Sequence, residues 1–314
     1  MSKYTRQIHA VGIETTRGSK AGKITWLAKT SFNFDDKIET KEDSSSLGKI
    51  DISDIEIVKE YAEGNIEMRA SANNINFLYA ILGKKATITV VPSKVFSHLF
   101  TINNDSVNPS LTIFTKEPNG DFHYPLALIS SLSISAQVEP INITASFKSK
   151  KVADNLSATY ETDYSFKASH SKIKIADKEA LNSASLACIE SFELNISKEN
   201  IETFCLNNGN EPVDILDKII TGSITAVFSD NDYKDKALNR EFALLFGLED
   251  KSVKIANEND KFPTLEFILP KVKFTDYGRD KDNDNLVKVN LNFKAFQNES
   301  VEPIKVKLQN VSNY

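Results

Sequence analysis

The feature that most constrains this chain is that it resembles itself. The stretch Ile57–Ser71, with Gly64, Ile66, Met68 and Ala70, returns 158 residues later as Ile215–Ser229, with Gly222, Ile224, Ala226 and Phe228. The pair Ser31-Phe32 returns as Ser191-Phe192, and the run Phe77–Gly83 aligns with Phe242–Gly247. Two diverged copies of one unit point to a building block that supplies repeated contacts, not to a single catalytic pocket. A length of 314 residues fits two such units, each long enough to bury a core. The expected division is a first β domain at 1–150 with an N-terminal arm, a bridge at 151–187 containing strands, and a second β domain at 188–314.

Strand signals dominate. Leu132–Ala136, Ile143–Phe147, Val272–Thr275 and Val287–Phe293 alternate apolar with polar residues, which puts one face on a core and leaves the other wet. Ile66, Met68 and Ala70 share one face, and Ile224, Ala226 and Phe228 repeat it. One short helix is expected per copy. In the first, Ile75, Leu78, Tyr79 and Leu82 make a helical stripe, Ser71 or Asn73 caps it, and Gly83 ends it. In the second, Leu238, Phe242 and Leu245 make the stripe of a helix over Lys236–Phe246, stopped by Gly247. The fold class is therefore mainly β: two tandem sandwich- or barrel-like domains, each with one flanking helix. Polar loops are expected at Asp35–Ser46 and Lys198–Pro212.

Composition narrows the function. With 38 basic against 43 acidic residues the net charge is −5, so the chain has no cationic surplus for gripping nucleic acid. No run of about 18 apolar residues occurs and the first residues carry no apolar signal core, so the chain is expected to be made in the cytosol and to assemble there. Two cysteines, Cys188 and Cys205, make no disulfide framework. Gly18–Thr25 imitates a phosphate loop, but three residues separate its glycines and Ile24 follows Lys23, so the backbone cradle and the Mg²⁺ hydroxyl are missing. Asp280–Asn285 imitates the start of a calcium loop, yet Leu291 stands where a bidentate Glu belongs and the flanks alternate as strands. The four histidines, His9, His98, His123 and His170, have no metal-site spacing. No catalytic residue, metal ligand or cofactor is called for.

Five pieces in order resemble the tail tube, or major tail, proteins of long-tailed bacteriophages. They are Gly12–Gly18, Lys29–Glu39, Ser45–Gly48, Lys59–Glu67 and Leu78–Gly83. The second half matches by layout, through Phe192, Thr221-Gly222 and Pro263–Pro270. The resemblance implies a structural, non-enzymatic virion protein whose sheets join side by side into rings. The rings stack into a tube through which double-stranded DNA passes without tight binding. It implies self-assembly, other tail proteins at the tube ends, no membrane insertion, and a location in the virion tail after synthesis in the host bacterial cytoplasm. Because single-domain members form sixfold rings, two tandem copies imply three chains per ring. The readings set beside it are a tube-end piece and a two-domain β module that binds a host-surface ligand.

Within that picture the terminal strand pairs are expected to line the lumen. Their polar faces are Ser131, Ser133, Ser135, Asn142, Thr144 and Ser146, then Lys273, Thr275, Lys288, Asn290, Asn292 and Lys294. Ring stacking is expected at Asp35, Asp36, Lys41, Glu42, Asp43 and Ser46, and at Lys198, Asn207, Asn208 and Glu211.

Overall fold

The computed structural model describes residues 7–43, 54–91, 94–103, 108–118, 120–137, 141–149, 152–154, 164–177, 180–205, 209–227, 241–256, 261–280, 288–297 and 302–311. The chain begins with β1 (Ile8–Ile13), β2 (Thr25–Trp26), β3 (Lys29–Phe32), β4 (Asp35–Asp43) and β5 (Asp54–Arg69). Then come α1 (Ile75–Leu82), β6 (Gly83–Val91), β7 (Val95–Ile102), β8 (Leu111–Glu117), β9 (Gly120–Ala136), β10 (Asn142–Ser149) and β11 (Val152–Asp154). The second half holds β12 (Ser171–Ala176), β13 (Ile189–Cys205), β14 (Gly209–Val227), β15 (Phe242–Glu249), β16 (Thr264–Asp280), β17 (Lys288–Ala295) and β18 (Lys305–Asn310).

Every named strand pairing is antiparallel. One long sheet runs β3/β4, β5, β10, β9, β13, β14, β17, β16. Two shorter sheets complete the network: β2, β1, β8, β9, β11, and β12, β15, β16, β18, β7, β6. Strands β9 and β16 belong to both kinds. The first half of each pairs in a short sheet and the second half in the long one. The alternation seen in the sequence explains the layering, since Ile143, Ala145 and Phe147 on β10 are buried and Asn142, Thr144 and Ser146 are not. The buried faces meet through aromatic rings. Phe192 on β13 stacks on Phe246 of β15 at 4.4 Å, and Phe242 meets Phe274 at 4.3 Å.

The repeat is structural, and deeper than the sequence shows. Gly64 stands opposite Phe147 and Gly222 opposite Phe293, so β5 corresponds to β14 and β10 to β17. The same matching pairs β1 with β12, β3/β4 with β13, β8 with β15, β9 with β16 and β11 with β18. Register breaks recur at matching places: Lys29/Ser31 and Ile189/Ser191, Leu111/Ile113 and Phe242/Leu244, and in β9 and β16 opposite Ser146/Phe147 and Asn292/Phe293. Shared bulges bend the corresponding strands at the same points.

Three expectations change. Phe242–Gly247 is part of strand β15, not of a helix, and its structural counterpart is β8 rather than α1. The rest of the expected second helix, 236–240, lies outside the described residues. Its apolar residues Phe242, Leu244, Phe246 and Leu248 are buried between neighbouring strands, and tertiary context overrides a helical stripe when both faces find cover. The stretches expected as polar loops are paired strands: Asp35–Asp43 pairs with β5, and Lys198–Cys205 pairs with β14. Helix α1 is as expected in its place and in Gly83, whose φ of 91° supplies the left-handed end, but it is buried all round except at Tyr79, a residue of the expected stripe. Its N-cap, however, is Asn74, with no side-chain cap bond. The Asn74 Oδ1 instead accepts from the Ser71 N–H at 2.6 Å.

The helix and the β6–β7 hairpin have no counterpart among the described residues of the second half. They have a joint role, because β7 pairs with β18 and so extends the second copy's short sheet. Asn310 donates to the Ala72 carbonyl at 2.8 Å and meets His98 Nε2 at 3.1 Å, tying that sheet to the start of α1.

Candidate functional site: a polar sheet face and two one-sided edges

The long sheet turns its buried face to the short sheets and α1. Its other face carries rows of polar and charged residues running across the strands. One row reads Glu67, Thr144, Ser133, Asn195, Thr221, Lys294, Lys273. The next reads Arg69, Asn142, Ser135, Glu193, Ser223, Asn292, Asp276. Ser133, Ser135, Glu193, Asn195, Thr221 and Ser223 line one open concavity, so this face is hollow at the centre of the sheet. Cross-strand bonds stiffen it: Ser131 Oγ donates to Ser146 Oγ at 3.0 Å, Asn142 Nδ2 to Glu67 Oε1 at 3.0 Å, and Thr225 Oγ1 to Asn290 Oδ1 at 3.0 Å.

The sequence-predicted wall residues therefore sit on one surface. Thr275 is the extra residue of the bulge in β16, so Asp276 stands opposite Asn292, while Thr275 still lines the concavity. The sequence also missed Glu193, Asn195, Thr221 and Ser223, which complete the rows. Their signal was present: they alternate with buried Leu194, Ile196, Ile220 and Ile224.

The lysines of the second copy are largely answered. Lys273 and Lys271 reach Glu241 at 3.4 and 3.1 Å, and Lys288 bonds Glu190 at 2.8 Å. The hydrogen bond from Lys271, reinforced by Lys273, holds the Glu241 carboxyl below its ordinary value. Lys294 lies over the Phe296 ring, 5.9 Å from its centre.

The expected stacking residues lie on two long hairpins. Asp35, Asp36, Lys41, Glu42 and Asp43 are on β4, Lys198 is a buried residue of β13, and Glu211 is on β14. Ser46, Asn207 and Asn208 lie outside the described residues, as does 281–287, the core of the calcium-loop imitation. The β4–β5 hairpin exposes Ile55 and Ile57 on one face of β5 at more than half their surface.

A buried carboxylate fixes the place where β9 changes sheets. Glu14 accepts from Thr112 Oγ1 at 2.9 Å, Ser110 Oγ at 2.5 Å, Gly18 N at 2.7 Å and Leu126 N at 2.8 Å. Leu126 has a φ of 54°, which four oxygen-centred bonds nearby help to hold. Nothing in the spacing around Glu14 announced this, because three of its four partners come from sites about 100 residues away.

Among the described residues no group of three or more His, Cys, Asp or Glu could hold a metal, and no helix is long and apolar enough to cross a membrane. Among the described residues the long sheet has a polar hollow face and ends in strands paired on one side only, an arrangement that suits a structural protein joined to others. The phage tail tube protein family model matches residues 6–295, and the chain belongs to that family. No curated protein matches it. It is a structural tail tube protein, a component of the virion tail.

Proposed function

We propose that three chains close into one ring, with the polar face of the long sheet as its inner wall, and that rings stack into the conduit for the phage genome. The observation that carries this is the pairing of β9 with β13, Ser133 opposite Asn195, which merges two repeated units into one eight-strand sheet. Each unit begins at a β3/β4- or β13-type edge and ends at a β9- or β16-type edge. In this reading the second unit starts at β12, inside the 151–187 bridge expected from the sequence.

Size favours three chains. Strands about 4.8 Å apart and tilted about 40° give 24 strands a backbone diameter of roughly 48 Å. Side chains reaching about 5 Å inward leave room for a hydrated duplex. Two chains would close at roughly 32 Å and crowd it, and six would leave a bore about twice as wide. The wall chemistry suits passage. Serine, threonine and asparagine offer no fixed attraction to phosphate, and of the wall lysines Lys273 and Lys288 are held by Glu241 and Glu190 while Lys294 lies over the Phe296 ring. The hairpins β4–β5 and β13–β14 carry ring stacking, through residues including Lys41 and Glu42.

Electron microscopy of the purified protein with its mass in solution tests this. Hollow rings or tubes with a mass of three chains per ring support it, and six chains per ring overturn it. Rings that never stack favour a tube-end piece, and a monomer that forms no ring even with tail initiator proteins favours a binding module.

A further inference from the structure

The internal junction is a template for the junction between chains. In the β9–β13 pairing, Ser131, Leu132, Ser133 and Ile134 stand opposite Ser197, Ile196, Asn195 and Leu194. The repeat carries Ser131–Ile134 onto Asp276–Arg279 of β16, and Leu194–Ser197 onto Phe34–Lys37. Among the described residues, Phe274–Asp280 pairs only with β17, and β3 and β4 pair only with β5. We infer that β16 of one chain pairs antiparallel with the β3–β4 edge of a second copy, in the register that sets Asp276 opposite Lys37, Tyr277 opposite Asp36, Gly278 opposite Asp35 and Arg279 opposite Phe34.

Charge and exposure both fit. Lys37 meets Asp276 on the polar face, and on the other face Arg279 lies diagonal to Asp36, within reach of a long side chain. Ile38 is 60% exposed, whereas its counterpart Lys198, at the completed junction, is 5% exposed. The internal junction is apolar beneath its polar face, with Leu132, Ile134, Leu194 and Ile196 all buried. The outer edges carry Asp36, Tyr277 and Arg279 at the corresponding positions. Charged edges keep separate chains from pairing indiscriminately, and complementary charges admit one register. The inference rests on the ring reading.

Its test uses the full chain with Cys188→Ser and Cys205→Ser. Directly opposed strand residues have Cα atoms about 4.5–5.5 Å apart, inside disulfide range. Lys37→Cys with Asp276→Cys is expected to give covalent dimers and closed trimers on oxidation of assembled rings. Lys37→Cys with Gly278→Cys, two positions out of register, is expected to give at least tenfold less. Lys37→Asp or Asp276→Lys alone should raise the concentration needed for assembly about tenfold, and the double swap should restore it, with unchanged circular dichroism throughout. Rings that form but crosslink at the shifted pair, or at neither, overturn the register and leave the ring reading standing. Failure of the unsubstituted chain to form rings, with tail initiator proteins present, overturns the ring reading and this inference with it.

Discussion

Ser133 of β9 stands opposite Asn195 of β13, and at that pair the sheet of one repeat becomes the sheet of the other. Both residues lie on the polar face, while Ile134 and Leu194 beside them are buried. In the proposed ring, the first half of the chain presents to the second the kind of edge that a whole chain would present to its neighbour. Consequences for stability, assembly and passage follow from that geometry.

Gly64 and Gly222 mark the repeat because the strand paired alongside approaches each too closely for a side chain. A Cβ on Gly222 would come within 2.2 Å of the Glu193 carbonyl oxygen and the Phe293 ring. A Cβ on Gly64 would meet the Asn33 carbonyl oxygen at 2.4 Å, at a φ of 153°. Gly222→Ala should cost about 1–3 kcal/mol through overpacking, and Gly64→Ala at least as much. Denaturant midpoints measure it; an unchanged midpoint for both variants would show that the neighbouring strands have slack.

Glu14→Gln puts an amide NH₂ where donors already point, at Gly18 N or at Leu126 N. A loss of about 2–4 kcal/mol is expected, since buried donors lose a charged acceptor. Equilibrium unfolding of the variant, with Glu14→Asp alongside it, checks the value.

Ile55 and Ile57 together should matter to stacking and not to folding, because they are exposed in the single chain. Replacing both with threonine, which keeps strand propensity, should leave the melting temperature within about 2 °C and shorten or abolish tubes in electron micrographs. Tubes of normal length would remove these residues from the stacking surface.

Thr144 and Ser133 are directly opposed on the proposed wall. Changing both to lysine should make assembled tubes retain short duplex DNA, with release as salt rises. The unsubstituted tubes should retain none. Equal retention by both would place this face away from the bore.

Glu241 is held charged by Lys271 first and Lys273 second. Its folded value is depressed, so the pair's contribution is full above the ordinary carboxylate value and lost as pH falls through the lower, folded one. Carboxyl titration followed by NMR should show Glu241 below ordinary glutamates, and Lys271→Met should raise it toward them.

Much of this was legible in the sequence, through particular residues. The alternation around Ile143 and Phe147 gave strands with the correct buried face, and Gly64 with Gly222 gave the repeat. The alignment of Phe77–Gly83 with Phe242–Gly247 failed for a physical reason. Corresponding strands drift from 164 residues apart at β1 and β12 to 131 apart at β8 and β15, because α1 and the β6–β7 hairpin lie only in the first copy's described part. A short apolar run with both faces coverable reads equally as helix or strand until its neighbours are known.

Local pattern by itself determined the β class, the duplicated unit, the polar and apolar strand faces and the helix end at Gly83, since each depends on residues a few positions apart. The tertiary structure alone decided which edges meet, that Asp35–Asp43 is a strand, that Thr275 yields its row to Asp276, and that Glu14 holds Leu126. Those depend on partners far away in the chain, and hydrogen-bond register between distant strands leaves no periodic trace in either strand's own sequence.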